Sequence, residues 1–139
     1  MKKIEKNGRT FKVIPESKVV IGTQERSSVW NDMDGISVAH KRVIVNAIDE
    51  LYDDFYDDDV IKVKAKCDKR DEFSEKAGIN ICESKLARNN HRILAKRYDR
   101  AYRILTECAN FVYKRCAYHM AKIKAIDDDL EKTYGGKIS

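Results

Sequence analysis

Proline is nearly absent: Pro15 is the only one in 139 residues. Almost the whole chain can therefore enter helix or strand without a missing N–H or a locked φ. Long apolar runs are absent too. No stretch approaches the ~18 consecutive apolar residues of a membrane-spanning helix. The basic start "MKKIEKNGRTF" is not followed by the apolar segment of a secretory leader. A soluble, unexported protein is expected. The four cysteines, Cys67, Cys82, Cys108 and Cys116, are scattered without the C-x-x-C pairing of a zinc site. They read as small apolar residues of a reducing compartment. Catalytic signatures are also missing: the chain has no G-x-S-x-G, no H-E-x-x-H and no Walker loop. His40, His91 and His119 lie far apart, and the runs Asp57–Asp59 and Asp127–Asp129 lack the spaced oxygens and glycine of a calcium loop. The expectation is no enzyme, no metal and no cofactor.

What the chain does have is charge in separate zones. "DELYDDFYDDD", Asp49 to Asp59, carries seven carboxylates and no basic residue. Lys85 to Lys124 carries eleven Lys or Arg against only Asp99 and Glu107. Such zones can pair within or between subunits, and the basic one can attract an anionic ligand. The net charge is only +5, so this is a matter of distribution rather than of total.

Periodicity divides the chain into a β-rich part, 1–70, and a helical part, 71–139, of one α+β domain. Arg9 to Pro15 alternates, with Phe11 and Val13 on one face, and "SKVVIGTQE" follows after a turn. "SSVW" and "ISVAHKR" flank the turn-rich "NDMDG" and predict a hairpin. The segment from Arg42 is ambiguous between strand and helix. The recurrence of Ile44, Ile48, Leu51 and Phe55 favours a helix over 44–55. "VIKVKAKC" is the clearest strand, with Ile61, Val63, Ala65 and Cys67 inward and Lys62, Lys64 and Lys66 outward. Asp71 is the expected cap of a first helix that presents Phe73, Ala77 and Ile81 on one face. "RNNH", Arg88 to His91, predicts its end, because Asn tolerates the left-handed conformation. A second helix then runs from about His91 to Thr133, until "YGG" stops it.

That second helix carries a seam. Leu94, Tyr98, Ala101, Leu105, Cys108 and Val112 alternate in steps of four and three. After one extra four-step to Cys116 the pattern resumes through His119, Ile123, Ile126 and Leu130. This is coiled-coil spacing with one stutter. At 1.5 Å per residue the helix is ~60 Å long, more than a small sheet can cover. The seam is therefore expected to pack on the first helix and on another subunit.

Candidate ligand residues cluster twice. At the strand-to-helix junction, Lys66, Lys69 and Arg70 stand beside a helix N-terminus, whose free N–H groups and partial positive charge suit phosphate. Phe73 follows, either as a stacking platform or as core. In "KLARNNHR", Asn89 and Asn90 offer a donor and an acceptor each, and Arg88 and Arg92 can fork onto phosphate. Arg26, near Trp30, is a further cation in the β-rich part. The bland alternatives are surface ion pairing of Arg70 with Asp68 or Asp71 and a helix–helix turn at the asparagines.

The order of features resembles a bacteriophage family. A strand ends in Lys66-Cys67, a turn with Asp68 follows, then Asp-x-Phe at Asp71 to Phe73, Gly78 five residues on, and a basic helical end at Lys85 to Arg88. With the N-terminal sheet and C-terminal helices, the chain is similar to the type 1 Thoeris anti-defence proteins. The motif spans about a sixth of the chain. This resemblance implies a sponge in the cytoplasm of an infected bacterium. It would bind a cyclic ADP-ribose isomer without cleaving it, with cyclic di- or trinucleotides as further ligands, as a homo-oligomer from dimer to hexamer. The family pocket uses an aromatic residue, arginines and an asparagine. Only Phe73 falls on a matching motif position. Lys66, Arg70, Arg88, Asn89, Asn90 and Arg26 enter from chemistry alone. Two rivals stand beside it. One is a nucleic-acid-binding protein using the basic helix with Tyr98, Tyr102 and Tyr113. The other is an inhibitor of a defence nuclease that acts through the acidic stretch.

Overall fold

The computed structural model describes residues 1–51 and 60–135. Their contacts gather into two compact units, Met1–Ala101 and Tyr102–Ser139. The fold is α+β: an N-terminal four-stranded antiparallel sheet followed by a long C-terminal helix.

In the first unit the strands are β1 (Lys2–Lys6), β2 (Arg9–Ile14), β3 (Val19–Glu25) and β4 (Val60–Lys66), in the order β1-β2-β3-β4. Strand β1 is absent from the sequence-based expectation, although its signal is plain. Asn7 and Gly8 both have positive φ, 53° and 74°, as a tight two-residue hairpin turn demands. The register pairs Ile4 with Phe11, Phe11 with Gly22 and Gly22 with Val63, so one face is apolar right across the sheet. Phe11, Val13, Val20, Ile61, Val63 and Ala65 form the core there with Cys82 and Leu86. The alternation expected of β4 holds through Lys66, with Lys62, Lys64 and Lys66 exposed, whereas Cys67 lies beyond the strand and is only half-buried.

The hairpin expected around "NDMDG" is replaced by two helices, α1 (Val29–Asp32) and α2 (Val38–Leu51). Each is started by a serine. The Ser28 hydroxyl accepts the Asn31 N–H at 3.0 Å, and the Ser37 hydroxyl accepts the His40 N–H at 3.2 Å. Such caps satisfy donors that a helix leaves orphaned, and they outweigh the β-branched residues that suggested strands. Gly35 supplies a positive φ of 90° between the helices. The ambiguity at Ile44 resolves as helix through Leu51. The remainder of the expected helix, 52–55, and most of the acidic stretch lie outside the described residues.

The two expected C-terminal helices are one, α3 (Glu75–Tyr134). There is no break at Arg88–His91. Asn90 stays helical because its side chain is used elsewhere: its amide donates to the Ser27 hydroxyl at 2.9 Å and its oxygen accepts the Ser27 N–H at 3.0 Å. Those bonds offset the modest helix-propensity cost of Asn. The start also differs. Ser74, not Asp71, caps α3 by accepting the Ala77 N–H at 3.2 Å. The buried face is shifted by one residue, to Gly78, Cys82 and Leu86, while Ala77 is exposed and Ile81 is 49% exposed. Gly78 explains the choice. A Cβ there would lie 2.5 Å from Val20 Cγ2, so only glycine lets the helix sit this close to β3. Ion pairs bind α3 to the β1 edge, Lys2 to Glu75 at 3.1 Å and Lys6 to Glu83 at 3.0 Å. On the opposite edge, the Lys85 ammonium donates to the Lys64 carbonyl at 2.7 Å.

The second unit is the remainder of α3. The expected seam divides between the units: Leu94 and Ala101 are buried in the first, whereas in the second no described residue is buried. The expected packing of the seam on a separate first helix is thereby corrected, since that helix does not exist. Gly135, at φ 46°, ends α3 by donating its N–H to the Glu131 carbonyl at 2.8 Å. No helix among the described residues is long and apolar enough to cross a membrane.

Candidate functional site: a cationic groove beside the first half of α3

Strand β3 ends at Glu25, and the next residue, Arg26, leads towards α3. The Ser27–Asn90 bonds pin this segment to the helix. Farther along, the Tyr98 hydroxyl donates to Asp32 Oδ2 at 2.6 Å and ties α1 to the same helix. Burial, reinforced by the Asp32 carboxylate that accepts its proton, pushes the Tyr98 phenol up to about 12. Both ties hold the chain on which Arg26 stands.

Beside these ties lies a groove of about 390 Å³ lined by Arg26, Val60, Ile61, Asn89, Arg92, Ile93 and Lys96. Its volume falls in the range of small-molecule sites. Its four helix residues, Asn89, Arg92, Ile93 and Lys96, follow i, i+3, i+4 and i+7 spacing and so share one face. Three cations converge over a floor of Val60, Ile61 and Ile93, and among the described residues no carboxylate lines the groove. Arg88 Nε donates weakly to Asn89 Oδ1 at 3.4 Å, which leaves the Asn89 amide N–H groups as its free polar face. Forked guanidinium donors, an amide donor, an ammonium and an apolar floor together suit a phosphorylated ligand that has a flat or apolar portion.

A second depression, of about 370 Å³, is lined by Lys6, Glu75, Lys76, Ile79 and Asn80. Its Glu75 carboxylate already pairs with Lys2, and the mixed charge there selects no anion.

The strand-to-helix junction has a different character from the one its sequence suggests. Lys66, Lys69 and Arg70 are exposed. The Arg70 N–H donates to the Asp68 carboxylate at 3.0 Å. The Lys69 and Asp71 carbonyls face the Lys18 ammonium, at 3.2 and 2.5 Å. Oxygens turned to a lysine of the β2–β3 connection make this a structural latch. Phe73 is half-buried and packs against the sheet core. Of the residues singled out from sequence, the groove brings together Arg26, Asn89 and Arg92. Asn90 bonds Ser27, Arg88 touches Asn89, and Lys66, Arg70 and Phe73 are not among the lining residues. Lys96 and Ile93 escaped the sequence reading because the expected break at Arg88–His91 hid the helical spacing that joins them to Asn89 and Arg92.

Among the described residues, no group of three or more His, Cys, Asp or Glu side chains is placed to hold a metal ion. Compared with known protein families, curated proteins and solved structures, the chain matches none.

Proposed function

We propose that the chain is a binding protein that captures a small phosphorylated nucleotide and retains it intact. The observation that carries this reading is the convergence of Arg26, Arg92, Lys96 and Asn89 over an apolar floor. Phosphates meet forked and ammonium donors there, and a base or ribose rests on Val60, Ile61 and Ile93. The groove walls are held in place before any ligand arrives, by Ser27–Asn90 and Asp32–Tyr98, which lowers the ordering cost of binding. Within this class, the ligand implied by the resemblance to the anti-defence sponges is a cyclic ADP-ribose isomer. Sequestration in the cytoplasm of an infected bacterium is its biological setting.

Calorimetric titration with cyclic ADP-ribose isomers and with ADP-ribose tests the proposal. Tight binding is expected, with intact nucleotide recovered after heat denaturation. Arg92→Ala and Lys96→Ala each weaken it by roughly tenfold or more, the usual worth of a charge-assisted hydrogen bond. Binding untouched by both substitutions places the site elsewhere. No binding of any nucleotide, or a cleaved product, overturns the reading.

A second reading has its own support. The open face of the sheet presents Lys3, Lys12, Lys62, Lys64 and Lys66 beside two carboxylates, Glu5 and Glu25, as the strand registers require. Such a face suits a nucleic-acid backbone, and steep salt dependence of duplex binding distinguishes it from capture of a small ligand.

A further inference from the structure

The outer strands of the sheet differ in how their charges are met. On the β1 side, Lys2 and Lys6 are paired with Glu75 and Glu83 of α3. On the β4 side, among the described residues, no further strand lies beside β4, and none of Lys62, Lys64 and Lys66 forms an ion pair. We infer that the β4 edge is a docking site for an acidic segment in extended conformation, which joins the sheet as an added strand.

The backbone argues for a strand. In an antiparallel ladder alternate residues exchange both bonds with the neighbouring strand, and the residues between them turn their N–H and C=O groups away from it. The Cys67 N–H donates to the Lys18 carbonyl at 2.9 Å, so Cys67 and Lys18 extend the register that pairs Ala65 with Val20, Val63 with Gly22 and Ile61 with Gln24. Ile61, Val63 and Ala65 therefore bond to β3, and Lys62, Lys64 and Lys66 turn their backbone groups to the open edge. The Lys85 ammonium, which donates to the Lys64 carbonyl at 2.7 Å, marks that outward direction. The register with β3 runs without interruption from Val60 to Lys66. A straight edge of this kind is a template for another strand. The long Lys85 side chain occupies only one carbonyl of the row and is able to swing aside.

Charge argues for an acidic strand. β4 contains no carboxylate, and its lysines stand on one side of the edge. On the other side, α3 brings Lys85 to Lys64, and Arg92 and Lys96 to Val60 and Ile61. Of the carboxylates close in register, Glu25 is opposite Val60, and Asp68, beyond the strand, already accepts the Arg70 N–H. An added strand thus meets cations on both of its faces. A second copy of β4 does not fit. In any register its lysines fall beside Lys62, Lys64 and Lys66 or beside Lys85 and Arg92, and like charges opposite each other destabilise a strand pair. Lysines guard an edge against such pairing, but a strand with carboxylates at alternate positions neutralises them instead.

Burial sets the strength. Ile61, Val63 and Ala65 are already buried in one cluster with Cys82 and Leu86 of α3. An added strand therefore covers little new apolar surface, and ladder hydrogen bonds and charge pairs carry the binding. The inference goes beyond nucleotide capture, since Lys62, Lys64 and Lys66 do not line the groove.

Three blocked seven-residue peptides test it, matched in length to β4: alternating glutamate and valine, alternating lysine and valine, and the glutamate peptide methylated at every backbone nitrogen. Binding to the full chain is followed by calorimetry and by amide hydrogen exchange resolved by residue. The glutamate peptide is expected to bind and to slow exchange at Lys62, Lys64 and Lys66 by roughly tenfold or more, with little change at Ile61, Val63 and Ala65. The lysine peptide is expected not to bind. The methylated peptide keeps every charge but loses the ladder donors, and is expected to bind at least about tenfold more weakly. Lys62→Glu with Lys64→Glu, at exposed positions, is expected to abolish binding while the circular-dichroism spectrum stays that of the parent. Equal binding of the methylated peptide, or binding without protection of the three lysine amides, shows charge attraction alone and overturns the inference. So does failure of the glutamate peptide to bind at hundreds of micromolar. Slow exchange at those amides before any peptide is added shows an edge already occupied, and also overturns it. A duplex oligonucleotide that binds where no peptide does assigns the lysines to a nucleic-acid backbone instead.

Discussion

Two halves of one helix meet opposite surroundings. Between Glu75 and Ala101, α3 buries Gly78, Cys82, Leu86, Leu94, Arg97 and Ala101. Between Tyr102 and Tyr134 it buries none. Yet the apolar spacing runs on through both halves. A seam records which residues share a face, and only an opposing surface turns that face into a core. In the first half the opposing surface is the sheet, built around the glycines that let it approach: Gly22, whose Cβ would meet Cys82 Cβ at 3.0 Å, and Gly78 against Val20.

The contrast is broken most forcefully by cutting apolar volume in each half. Leu86→Ala, at a fully buried position, is expected to cost ~2–5 kcal/mol in urea unfolding. Val112→Ala is expected to leave the unfolding of the sheet unit within ~0.5 kcal/mol of the parent. Equal losses at the two positions would show that the halves are not distinct.

Next in size is Gly78→Ala. Helix propensity favours alanine by ~1 kcal/mol, but overpacking typically costs ~1–3 kcal/mol. A Cβ pressed against Val20 makes the second effect win, so a net loss of ~1 kcal/mol is expected. Greater stability would mean that the helix–sheet approach is looser than the structure shows.

Thiol chemistry sharpens the same contrast without changing the fold. Burial raises the Cys82 thiol above its ordinary range, and its Sγ donates to the Val20 carbonyl at 3.4 Å. Cys108 and Cys116 are exposed on the second half. Reaction with a thiol reagent at neutral pH is therefore expected to reach Cys82 last, and only on unfolding. Early labelling of Cys82, located by mass spectrometry, would show the core opening.

The smallest effect is in alkaline solution. The Tyr98 phenol is raised to about 12 in the folded chain, against about 10 for an unperturbed tyrosine. Its contribution to stability is fully present below pH ~10 and is lost as pH rises towards ~12, because the unfolded chain gives up the proton first. Between those limits the melting temperature of the parent should fall more steeply than that of Tyr98→Phe. Parallel curves would remove the role given to the Asp32–Tyr98 bond.

Much of the sheet was legible. β2, β3 and β4 follow from alternation, and β4 shows it at every position. β1 was legible too, in Asn7-Gly8, but the N-terminal segment was weighed only for a leader, which its lack of an apolar run spoke against. The helices α1 and α2 were hidden because "SSVW" and "ISVAHKR" hold β-branched residues beside a turn-rich loop. The deciding signal was Ser28 and Ser37 in capping positions. The site was legible only in fragments. Arg26, Asn89 and Arg92 were chosen for their chemistry, but Arg26 meets the other two only through folding. Lys66 and Arg70 had the right chemistry at a junction whose carbonyls turn to Lys18.

By itself the sequence determined the inward and outward faces of β4, the helical spacing from Leu94 to Leu130 and the stop at Gly135, since each depends only on residues close along the chain. The tertiary structure alone decided that α3 passes unbroken through Asn89 and Asn90, that Gly78 rather than Ala77 faces the sheet, and that Arg26 meets Arg92 and Lys96. These depend on what stands opposite. The Ser27 hydroxyl that accepts from Asn90, the Val20 methyl that leaves no room for a Cβ, and the strand end that delivers Arg26 all come from distant parts of the chain.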